Sequence, residues 1–150
     1  MTTQLHDTGE EFIIKLVFRG DEITEPANAS VGLFNDSTDN LSDSGDVGAI
    51  TTEPSGSNYS SQTASFDTTD FDVTDNASGN WQAVIIDQVF DTSDSSQSVD
   101  AYYVSASFQA EDTADSSANE HLFWSGDLDQ TYDLNSVDQF TLSGAGLEAN

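Results

Sequence analysis

Cysteine is absent from this chain of 150 residues, so no disulfide framework, thiolate metal site or thiol nucleophile is open to it. Basic residues are nearly absent too. Lys15 and Arg19 stand alone against 28 Asp and Glu, a formal charge of −26. A surface so negative repels nucleic-acid phosphates and anionic headgroups, whose binding begins with Lys or Arg releasing counterions, and no direct contact with nucleic acid or membrane is expected. No run of eighteen apolar residues occurs, and residues 1–11 lack a basic segment followed by an apolar one. Neither a signal peptide nor a transmembrane segment is expected. Stretches rich in Ala, Leu, Glu, Lys and Gln are missing, while Ser, Thr, Asn, Asp and Gly recur every few residues. No helix of convincing length is expected.

The acids that are present spread along the whole chain instead of forming a tail. Like charges at this density repel over a Debye length of ~10 Å in dilute buffer and ~3 Å in molar salt, so the pattern reads as a surface adapted to brine. Disorder is the rival reading of high net charge. The apolar residues, however, come in strand-length blocks that can pack, and 150 residues suffice for one domain that buries about two-thirds of its unfolded surface.

Phe12, Ile14, Leu16 and Phe18 alternate with Lys15 and Arg19 on the other side, which predicts a half-buried strand over Phe12–Arg19. Residues 29–34 read as a second strand and Asn35 to Gly45 as an exposed polar loop. Short strands are expected near Val47–Thr52, Tyr59–Phe66 and Phe71–Val73, and a central one within Trp81–Phe90. Val99–Phe108 and His121–Trp124 should pair antiparallel around an acidic tip at 111–119, with a last strand in Ser136–Leu142. The fold class predicted is all-β, an antiparallel β-sandwich or jelly roll of roughly seven to nine short strands. Residues 1–11 are read as a mobile or arm-like segment and residues 12–150 as a single sandwich domain.

Signals for chemistry are sparse. His6 falls in the expected arm, His121 follows Glu120 at the start of a strand, and no Gly-x-Ser-x-Gly elbow is present, so no catalytic residue is assigned and the chain reads as non-enzymatic. Asp36, Asp39, Asp43 and Asp46 crowd one loop and are weak candidates for a Ca or Mg site, although they lack the Asp-x-Asp-x-Asp-Gly order. No other cofactor is expected.

Several landmarks recur in a suggestive order. Val31-Gly32-Leu33-Phe34 precedes a variable loop and Gly56-Ser57-Asn58-Tyr59; Gly79-Asn80-Trp81 leads into the apolar residues 83–86; Leu122-Phe123-Trp124-Ser125-Gly126 ends a return strand. From Val31 onward this order resembles small virion structural proteins of tailed bacterial and archaeal viruses, the head-decorating, head-fibre and tail-fibre-like proteins. The chain departs from that pattern in its acidic insertions at 88–98 and 110–119 and in the segment ahead of Val31.

With the salt-adapted charge, the resemblance implies a virion protein of a tailed virus of a halophilic archaeon, decorating the capsid surface or a vertex. The implied partners are a major capsid or vertex protein, further copies in a homo-oligomer, and the host cell surface through a projecting acidic loop. Lys15 and Arg19, where acids are fewest, are the expected partner interface. A tail or tail-fibre component of the same virus is the first alternative. A cellular carbohydrate-binding sandwich is the second; it would need Trp81, Tyr102, Tyr103 or Trp124 exposed, whereas their apolar surroundings place them in the core.

Overall fold

A computed structural model describes residues 3–20, 25–108 and 119–148. In chain order it places β1 (Thr3–Leu5), α1 (Asp7–Phe18), β2 (Asn28–Phe34), the single-turn α2 (Asp36–Asp39), β3 (Gln62–Ser65), β4 (Phe71–Asp75), β5 (Trp81–Ile85), β6 (Gln88–Asp91), β7 (Ser98–Phe108), β8 (Asn119–Asp133), β9 (Gln139–Leu142) and β10 (Gly146–Glu148). Five strands form one sheet in the order β1-β8-β7-β2-β3, three form another in the order β10-β5-β4, and β6 pairs with β9. Every pairing among them is antiparallel. The expected all-β, sandwich-like class is the one observed.

Strand count and length exceed the expectation. There are ten strands among the described residues, and β7 and β8 run for 11 and 15 residues. Their register shifts between Val99 and Ala101 and again between Val104 and Ser105, as bulges do when long strands must bend. The acidic tip expected at 111–119 lies almost wholly outside the described residues. Trp81–Phe90 breaks into β5 and β6, and β5 takes the expected central place, though in the smaller sheet. Val47–Thr52 forms a 3₁₀ turn over Val47–Ala49 in place of a strand.

Residues 101–106 of β7 are buried without alternation because both faces of the five-stranded sheet are covered. On one face Phe12, Val31, Leu33, Tyr102, Val104 and Trp124 join the main core with Phe71 and Ile85 of the smaller sheet. On the other, Phe34, Ala101, Tyr103 and Leu122 pack with Leu41, Val47 and Ile50. The loop after β2, expected to be exposed, therefore roofs a second small core, and Leu41 is its apolar anchor.

Two amino-terminal expectations are overturned. Residues 3–6 do not stand off as an arm: β1 pairs with β8, and His6 is completely buried. The strand expected over Phe12–Arg19 is the second half of α1. Gly9, Phe12, Ile13 and Leu16 fall at i, i+3, i+4 and i+7 and turn toward the sheet, the helical stripe that a block apolar on every side conceals. Asp7 and Glu10 in the first turn and Lys15 in the last complement the helix dipole, and Lys15 pairs with Glu11 one turn back. Thr8 Oγ1 donates to Leu122 O at 2.6 Å, and a Cβ at Gly9 would overlap the carbonyl oxygen of Phe123, so the helix start is clamped against β8.

Candidate functional site

Between α1 and the three-stranded sheet lies a groove of about 720 Å³. Its depth is aromatic: Phe71 and Trp124 stand edge to face at 6.2 Å and Phe123 meets Trp124 at 4.9 Å. One wall is the inner stripe of α1, with Phe12, Ile13 and Leu16; the other carries Val73, Ala83 and Leu147. Exposed carboxylates of Glu25, Asp67 and Asp72 stand at the rim.

The apolar surface continues beyond the groove on both sides. On the outer side of α1, Ile14, Val17 and Phe18 are 58%, 68% and 80% exposed, and across the groove Trp81 is exposed beyond the wall residues Val73 and Ile86, which are exposed as well. Side-chain alternation puts Trp81 on the same face of β5 as Ala83. Exposed apolar side chains in such number mark a candidate interaction site, because every Å² left in water forgoes about 25 cal/mol.

Of the two residues expected at an interface, Arg19 is exposed at the end of α1, whereas the Lys15 side chain is only 15% exposed. From Phe12 to Arg19 the chain has two bases and no acid. Lys15 is held by Glu11, and Arg19 caps the helix end, its N–H donating to Lys15 O at 2.6 Å. Of the aromatics expected in the core, Tyr102, Tyr103 and Trp124 are there, but Trp81 is 61% exposed. Strand periodicity hid Ile14 and Phe18 as surface residues beside Val17. Once the segment is helical, their stripe at i, i+3 and i+4 is the signal that finds them.

The four loop aspartates are not gathered around a common point, and no cluster of three metal-ligating side chains exists among the described residues. Each is occupied with protein donors. Asp36 Oδ1 accepts from Leu41 N at 2.8 Å, and Asp39 accepts from the N–H and hydroxyl groups of Thr51 and Thr52. Asp43 Oδ1 accepts from Gln4 Nε2 at 3.1 Å, and Asp46 accepts from Val47 N and Leu122 N at 2.8 and 2.9 Å. Burial pushes the carboxyls of Asp39 and Asp46 up, but these hydrogen bonds pull further, and both titrate below the usual range. The acids of this loop are staples that hold it against the sheet.

Three polar sets could suggest catalysis. His6 Nδ1 lies 3.0 Å from Asp43 O, which can only accept, so Nδ1 donates there, and Nε2 meets Ser125 Oγ at 2.9 Å. Both residues are buried and neither lines the groove, so this pair ties β1 to β8 and the loop. His121 meets Asp46 Oδ2 at 3.1 Å and stacks near Phe108; it is half-buried, where a surface position was expected. Glu53 accepts from the hydroxyls of Tyr59 and Tyr103 at 3.1 and 2.8 Å. Burial, aided by the Glu53 carboxylate, pushes both phenols up, so they remain neutral donors.

The groove offers apolar contact and rim carboxylates, an arrangement suited to an apolar segment that bears positive charge. No protein-family model matches the chain, and no curated protein or solved structure matches it.

Proposed function

We propose that this chain is a non-enzymatic structural protein of a tailed virus infecting a halophilic archaeon, and that it decorates the capsid surface or a capsid vertex. The order of landmarks from Val31 to Gly126 supports the class. The observation that carries the mode of action is the flank of α1, where a coat of charge −26 gives way to exposed Ile14, Val17 and Phe18 beside the chain's two bases. Such a protein works by shape and multiplicity. A weak contact made by one copy becomes strong on a symmetric lattice, because each later contact forms at high effective concentration.

On this reading the flank meets an equally acidic protein neighbour in the particle, and the remaining coat faces brine and the host surface. The carbohydrate-binding alternative retains one stacking platform, Trp81, because Tyr102, Tyr103 and Trp124 are buried. Mass spectrometry of purified particles, with and without their tails, tests the proposal. The protein should be found in both preparations. Enrichment with the tails would move it to the tail, and absence from both would end the structural reading.

A further inference from the structure

We infer that the apolar flank is the contact between two copies of this chain, with the outer stripe of α1 in one copy seated in the groove of the other. This deepens the proposed function by naming the neighbour at that face, and it rests on that reading for the face's use in a particle.

The groove calls for an apolar occupant with positive charge, since its walls are Ile13, Leu16, Val73 and Ala83 and its rim is Glu25, Asp67 and Asp72. This chain has one such segment, Phe12–Arg19, which carries both of its bases and no acid. The outward residues of that segment, Ile14, Val17 and Phe18, are those left in water. Two bodies of charge −26 repel over the rest of their surfaces, so approach is favoured at this flank, where Lys15 and Arg19 lower the local negative charge.

The geometry closes on itself. Helix α1 supplies the stripe and also forms one wall of the groove, so a two-fold axis lets each copy give and receive the same contact, as an isologous dimer requires. Antiparallel helices across that axis also bring the first-turn acids Asp7 and Glu10 of one copy toward the basic end of the other.

Sedimentation velocity in molar NaCl should show a dimer for the intact chain, and Val17→Asp/Phe18→Asp should weaken association at least about tenfold. Both side chains are exposed, so the variant's circular dichroism should be unchanged.

A chain that stays monomeric in molar salt, a ring larger than two, or a Val17→Asp/Phe18→Asp variant that dimerises normally would overturn the inference. A monomer that is nonetheless found in particles would defeat this inference and leave the virion reading intact. A dimer absent from particles would do the reverse.

Discussion

The ring of Tyr103 lies over Gly32, its cross-strand partner on β2, so closely that a Cβ at position 32 would overlap Cε1, Cζ and the hydroxyl. The relation repeats on the other side of β7, where a Cβ on Gly126 would stand 2.6 Å from Tyr102 Cε1. The two glycines let adjacent tyrosines fold across opposite faces of the sheet. Tyr103 reaches Glu53, and Tyr102 approaches Gly146 O at 3.4 Å. Gly32→Ala should therefore cost about 1–3 kcal/mol by overpacking. Tyr103→Phe, which loses one hydrogen bond, should cost about 1 kcal/mol. Thermal unfolding in molar salt compares the two, and a Gly32→Ala protein as stable as the parent would show that the ring has room to move.

Ser125→Ala removes the hydroxyl that satisfies a completely buried His6 Nε2. Leaving that nitrogen without a hydrogen-bond partner should lower stability by about 1–3 kcal/mol. Loosening of β1 should follow, visible as faster amide exchange at residues 3–6. Unchanged exchange there would mean that the histidine does not hold the strand.

Acid should unfasten the loop over the second core. The carboxyls of Asp39 and Asp46 titrate below the ordinary aspartate value of 3.8, burial pushing each up and the donors of Thr51, Thr52, Val47, Leu122 and His121 outweighing it. A depressed carboxyl stabilises the fold above its unfolded value, and that stabilisation is lost as pH falls through the folded one. In molar salt, where general repulsion is screened, stability should drop as pH falls below 3.8. Asp39→Asn/Asp46→Asn should start less stable and lose less on acidification. An equal acid loss in the variant would place the sensitive groups elsewhere.

Salt should be needed for the fold as a whole. Below about 0.5 M NaCl the repulsion among the spread carboxylates is no longer screened, and circular dichroism should show loss of β-structure. An unchanged spectrum in salt-free buffer would remove the argument for a brine-adapted surface.

The architecture was legible where one physical signal acted alone. Val99–Phe108 and its return strand, the central place of Trp81–Ile85 in a sheet and the Gln139–Leu142 strand all follow from apolar blocks of strand length bounded by turn residues, whereas β10 after it has no such block. Phe12–Phe18 misled because seven residues with one base among them satisfy both a period of two and a period of 3.6; Gly9, packed against Phe123, decides for the helix only in three dimensions. The aspartate loop misled differently. Its acids follow no ligand order because each answers a backbone or hydroxyl donor that only the folded loop brings near. Of the flank, Lys15 and Arg19 were visible as the break in the acidic coat, while the groove beside them depends on β4, β5 and β10 meeting α1 and has no local signature.

The central claim, that the α1 flank joins this protein to a neighbour in a virus particle, is tested most directly by quantitative mass spectrometry of gradient-purified particles assembled with the parent chain or with Phe18→Asp. The account predicts that the parent is present in a fixed ratio to the major capsid protein. The variant, although soluble and folded in the cell, should be depleted at least about tenfold. Particles that lack the parent chain, or that incorporate Phe18→Asp in the same ratio, would contradict it.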